Sequence, residues 1–243
     1  MQKKLTQTVL ILLSAFATHT ITAKAAVGQL LWDNWYIVRA NGTPKAYYNE
    51  HAEIAGDKIR LRVNTWEREG TKLKSENLGA TAKNSPQLTP QLYHFRTFEA
   101  GIEKTIDGTV MNNGKVFSFK IKRGSKTLNP LRAQMIPNIF LSSFFPVWLH
   151  LNMKKISSVQ PKEFTTIREY DVENSVLLAK GDAYEMMPDD FSKQTGTRKI
   201  RVNYNQVVNF WYITPKGEAI RILSPAIGME TRKSTREEAE KSL

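Results

Sequence analysis

The chain has 243 residues, 35 Lys and Arg against 23 Asp and Glu for a formal net charge of +12, and no cysteine. That excludes disulfides, thiolate catalysis and cysteine-based zinc sites, so the fold must be held by an apolar core. The excess of positive charge favours anionic surfaces such as lipid head groups, cell-wall polymers or an acidic protein.

Met1–Ala25 carries Lys3 and Lys4, an apolar run from Val9 to Ala17, and Ala23-Lys24-Ala25. This is the pattern of a secretory signal peptide cut before Ala26, leaving residues 26–243 as one β-rich domain. Removing Lys3, Lys4 and Lys24 leaves 12 − 3 = +9. Export, to the periplasm or beyond the cell, argues against a nucleic-acid partner, and the basic residues alternate along strands instead of clustering.

From Leu30 the pattern is a β-meander. Leu31–Arg39 and Lys45–Ile54 flank Asn41-Gly42, the strongest short hairpin signal. In Lys58–Glu67, Ile59, Leu61 and Val63 alternate with Arg60, Arg62 and Asn64, as in a strand with one face in a core. Lys72–Lys83 is more polar. Leu92–Ala100 has apolar or aromatic groups at both parities and predicts a strand covered on both sides. Ile102–Val110 and Lys115–Arg123 follow.

The uncharged stretch Ile136–Leu151 then interrupts the pattern. Pro137 suits a first helical turn and Pro146 breaks a helix, predicting a short helix from Asn138 to Phe145 and an extended Val147–Leu151. Strands resume over Lys162–Val172, Val176–Met187, Thr197–Tyr204, Gln206–Thr214, Glu218–Leu223 and Gly228–Arg232. Ser234-Thr-Arg-Glu237 has the form of a capping box for a short terminal helix lying as a lid on a sheet edge. The fold expected is mainly β: a strongly curved antiparallel sheet or partly open barrel, with the apolar helix across its concave side. A closed membrane barrel is disfavoured, because Lys and Arg occupy alternate strand positions where an outward apolar band is required.

Two hairpin patterns, Trp35-Tyr36…Asn41-Gly42…Tyr47-Tyr48 and Phe210-Trp211…Pro215-Lys-Gly217…Ile220-Arg-Ile222, resemble hairpins that recur in exported bacterial β-proteins. In outline, roughly Leu30–Lys233 is similar to the lipoprotein-carrier and lipoprotein-receptor half-barrels of the Gram-negative periplasm. The resemblance implies an incomplete barrel covered by helix, with acyl chains held in its cavity.

No catalytic motif stands out. Ser142-Ser143 lies near His150 in sequence but lacks a Gly-x-Ser-x-Gly elbow, and Asp182, Glu185, Asp189 and Asp190 form an acidic group without a calcium-loop pattern. No metal site and no cofactor are expected, and Pro188-Asp189-Asp190 reads as a turn. The expectation is therefore a non-enzymatic exported protein that binds a hydrophobic or amphipathic ligand such as a lipid or acyl chain. Its expected binding residues are Phe140, Leu141, Phe144, Phe145, Trp148 and Met186, with the interrupting stretch as pocket wall and an anionic membrane surface or envelope protein as partner. On that expectation, a charge at Phe144 or Trp148 abolishes binding and leaves the sheet folded. The alternative is a structural or interaction protein of the envelope that binds a protein or anionic polymer.

Overall fold

A computed structural model describes residues 28–99, 101–169, 172, 175–176 and 178–243; the expected signal peptide lies outside them. The described chain forms one open sheet of 16 strands, as its alternation requires. Nine strands carry the chain outward: β1 (Gln29–Ala40), β2 (Thr43–Ala55), β3 (Lys58–Glu69), β4 (Lys72–Lys83), β5 (Pro90–Glu99), β6 (Ile102–Met111), β7 (Val116–Arg123), β8 (Lys126–Thr127) and β9 (Leu131–Gln134). The chain then crosses to the opposite edge. There β10 (Ile139–Leu141) pairs in parallel with β11 (Lys162–Ile167). From β11 an antiparallel run returns through β12 (Leu178–Glu185), β13 (Arg198–Tyr204), β14 (Val207–Ile213), β15 (Ala219–Ser224) and β16 (Met229–Ser234). β16 pairs with β1, from Trp35↔Ser234 to Ala40↔Met229, so the two wings meet in the middle of the sheet.

Asn-Gly and Gly turns set the registers. Asn41 and Gly42 both have positive φ, which the tight β1–β2 turn requires. At the far edge, β8 and β9 are one broken strand along β7: Leu128 N still bonds Ile121 O at 2.9 Å, but three residues, Leu128-Asn129-Pro130, stand opposite two of β7, and Pro130 has no N–H for the ladder. The bulge and the charged residues beside it blunt an edge that would otherwise template aggregation.

The crossing segment fills the space between the wings, and its conformation differs from the sequence expectation. Asn138 has φ +63, Ile139–Leu141 is a strand, Ser142–Phe144 is a 3-10 turn, and the helix is α1 (Phe145–Asn152). Pro146 begins this helix instead of breaking one: in the first turn its missing N–H costs nothing and its fixed φ is already helical. No side chain of α1 or of the turn caps its start. The cap comes from Glu169, whose carboxylate accepts from Ser142 N (2.8 Å), Ser142 Oγ (2.8 Å) and Ser143 N (2.6 Å). Phe140 stacks on Trp148, and Phe164 of β11 meets both Phe145 and Trp148 at 5.0 Å between ring centroids. One continuous core joins this plug to the inward residues of both wings, such as Leu61, Phe119, Ile200 and Val202.

Three further expectations are corrected. β5 is covered on one side only: Tyr93 and Phe95 are buried, while Leu92 and Phe98 on its outward face are exposed. The terminal helix α3 (Arg236–Lys241) is capped one residue later than expected, by Thr235 with Glu238. It covers no edge but lies on the outer face of β1 and β2, where Ala239 packs on Ile37 and Tyr47. A short helix α2 (Asp190–Thr195) replaces the turn after Pro188, with Asp189 as its cap.

Candidate functional site

The concave side of the sheet is not completely filled. Between the wings, beside the start of α1, lies an open cleft of about 570 Å³. One wall comes from β2 and β3, where Tyr48 pairs with Thr65 and Glu50 with Val63. The opposite wall is Thr166 of β11, Val202 and Tyr204 of β13, and Asn209 and Trp211 of β14. Ser142, Ser143, Phe145 and Pro146 form the floor, and Arg168 completes the lining. Strand parity places these groups: each inward residue of one strand lies level with an inward residue of its neighbour.

The cleft is mostly aromatic and aliphatic but has buried polar atoms. Glu50, only 6% exposed, accepts a hydrogen bond from Trp32 Nε1 at 2.7 Å. Burial pushes its carboxyl up to about 7, against the pull of the indole N–H. Burial also pushes Glu169 up, and its donors from Ser143 and Ser142 offset part of that. Tyr204 O–H and Thr166 Oγ1 share a 2.7 Å hydrogen bond, and burial raises the phenol. One further polar atom of the lining residues, Trp211 Nε1, is buried without a hydrogen-bond partner, while the Ser143 hydroxyl lies against the Glu169 carboxylate. An unsatisfied buried donor costs on the order of 1–3 kcal/mol, so this N–H is a local cost to the fold.

Of the residues expected from sequence to bind ligand, Phe145 alone lines this cleft. Phe140, Leu141 and Phe144 are fully buried and Trp148 is 4% exposed, all inside the core. A charge at Phe144 or Trp148 would therefore enter the core and unfold the protein, not act on a pocket wall. Met186 lies beyond the end of β12, its N–H donated to Lys199 O at 2.8 Å, away from the cleft. Glu50 was missed, although a signal existed: it is the charged residue in the inward series Ala46, Tyr48, Glu50, Ala52.

The serine, histidine and acidic side chains noted above have other partners. Ser142 Oγ is bonded to Glu169, and His150 packs its ring edge-on against Trp32 with Nδ1 buried and unpartnered. Glu185 forms a two-pronged ion pair with Arg198, with N–O distances of 2.7 Å on both arms. Asp189 caps α2, accepts from Tyr212 O–H at 2.8 Å and pairs with Lys199 at 2.9 Å, which holds its carboxyl well below the usual range. Asp182 takes a hydrogen bond from Asn203. Among the described residues no group of three potential metal ligands converges, and no helix is long and apolar enough to cross a membrane.

Comparison of the chain with protein-family models, with curated proteins and with solved structures found no match.

Proposed function

We propose that this is a non-enzymatic exported protein, working in the periplasm, that holds a hydrophobic or amphipathic ligand such as a lipid or acyl chain in the cleft between its wings. One observation carries the reading: an open cavity of ligand size between the two wings in which Tyr48, Val63, Phe145, Val202 and Trp211 supply an apolar surface. The apolar body of a ligand covers Tyr48, Val63, Phe145 and Trp211. Its polar end lies among Thr166, Tyr204 and Asn209 of the lining. The signal-like amino terminus supports export, and the net positive charge supports approach to anionic envelope surfaces.

The test is native mass spectrometry of residues 26–243 purified gently from a bacterial envelope, followed by titration of the delipidated protein with palmitate and with a lysophospholipid. A co-purified lipid, or binding that Thr65→Trp blocks, is the expected result. A ligand-free mass in repeated preparations, with no binding of either probe, would overturn the proposal. It would shift the weight to an envelope interaction protein, a reading favoured by how much of the interior the plug already fills.

A further inference from the structure

The opposite face of the first wing carries a second and larger cavity, a trough of about 890 Å³. Its geometry follows from cross-strand register. Arg62 of β3, Gly79 of β4, His94 of β5, Asp107 of β6 and Lys120 of β7 lie level in one outward row. The next row is Arg60, Thr81, Leu92, Thr109 and Ser118. Small residues at Gly79, Thr81 and Thr109 lower the floor, while Met111 and the edge bulge at Leu128 and Pro130 raise a wall. Four strand spacings of about 4.8 Å make the trough roughly 19 Å long, running across the strands.

Two features mark it as more than a solvated sheet face. Leu92 and Met111 are 54% and 43% exposed in its lining, so apolar surface remains open there. Arg62 and Lys120 make no ion pair or hydrogen bond with any described residue, while Arg60 holds Glu53 at 3.4 Å and His94 holds Asp107 at 2.7 Å. Counting lining charges with His neutral, three cations (Arg60, Arg62, Lys120) against two anions (Glu53, Asp107) leave 3 − 2 = +1.

We propose that this trough is a second binding site, for one molecule of a free long-chain fatty acid. The carboxylate sits at the β3 end on the Arg62 guanidinium, whose planar fork matches two carboxylate oxygens. The chain lies over Gly79 and Leu92 toward Met111, Leu128 and Pro130. A surplus of one positive charge suits a monovalent head, and the carboxylates of Glu53 and Asp107 oppose a polyanion or a flat anionic bilayer. The proposal is independent of the concave cleft, which opens on the other face of the sheet.

Gly79 supplies the test. A Cβ added there meets no atom within 4 Å, and the residue lies outside the left-handed region, so the backbone accepts a side chain that projects into the trough, as Gly79→Trp supplies. Native mass spectrometry with palmitate should show two bound molecules in the wild type, one in Gly79→Trp and one in Thr65→Trp. Arg62→Gln should weaken one of the two sites at least tenfold in calorimetric titration and, being at an exposed position, gives the same reading if Gly79→Trp fails to fold. Palmitate binding that neither Gly79→Trp nor Arg62→Gln alters overturns the trough and leaves the cleft standing. Binding lost in Gly79→Trp and unaffected by Thr65→Trp keeps the trough and overturns the cleft. Adsorption to phosphatidylglycerol vesicles through Arg62 without monomer binding overturns the fatty-acid assignment in favour of a membrane-docking face.

Discussion

Glu50 is a carboxyl on the inward face of β2, and its protonation should be visible in the stability of the whole protein. Its folded-state pKa is raised from 4.5 to about 7, so between these values the folded chain keeps a proton that the unfolded chain has released. Folding then takes up a proton, and stability must fall as pH rises through this window. Below about pH 4.5 the stabilising difference is fully present; above about 7 it is gone. At 1.36 kcal/mol per pKa unit the loss is about 3 kcal/mol. Glu50→Gln keeps an acceptor for Trp32 Nε1 and removes the ionisation. The two proteins should have similar stability at pH 5, and the variant should be more stable by about 3 kcal/mol at pH 8. With a urea m-value of about 3 kcal/mol/M, the midpoints separate by about 1 M. Glu169 is raised in both proteins, so its contribution cancels in the difference. Urea unfolding of both proteins at pH 5, 6, 7 and 8 tests this; parallel curves across the range would refute the buried, proton-holding Glu50.

The other predictions concern the plug and the sheet. Glu169→Ala orphans the amides of Ser142 and Ser143 at the start of the crossing segment and should cost about 2–5 kcal/mol in urea unfolding at neutral pH. Phe144→Ala empties a fully buried site between the wings and should cost about 3–5 kcal/mol, lowering the melting temperature by roughly 2–4 °C per kcal/mol. Gly181→Ala and Gly79→Ala are the same change with opposite outcomes. At Gly181 the added methyl strikes the Phe164 ring and the carbonyl of Asn203, for a loss of about 1–3 kcal/mol, whereas at Gly79 it meets open space and should gain about 0.5 kcal/mol in thermal unfolding.

The fold was legible where the physics is local. Alternation in Lys58–Glu67 and Arg198–Tyr204 gave one-sided strands, and Asn41-Gly42 gave its hairpin, because side-chain parity and positive φ are written in neighbouring residues. The crossing segment was not, because Pro146 is compatible with either ending or beginning a helix and the deciding contact comes from Glu169, outside the stretch itself. The same holds for β5. Apolar groups at both parities predict two covered faces, but outward Leu92 lines an open trough and outward Phe98 is exposed, a difference that depends on what the rest of the chain places over them.

The cleft was less legible than the fold for a topological reason. Its walls come from residues 48–65 and 142–211, brought face to face only because β16 docks on β1 and turns two separate meanders into one sheet. No motif spans such a gap, so the most apolar continuous stretch is the strongest local signal, and in the fold that stretch is core. A continuous uncharged run maximises burial, whereas a binding surface in water needs apolar area interrupted by groups that tolerate solvent until a ligand arrives. The cleft has that composition, with Glu50, Ser143, Tyr204 and Asn209 set among Tyr48, Val63, Phe145 and Trp211. In a curved sheet, an inward charged residue within an apolar parity series is therefore a better guide to a ligand surface than the run of greatest hydropathy. Glu50 on β2 meets that criterion, and none of Phe140, Leu141 or Phe144 does.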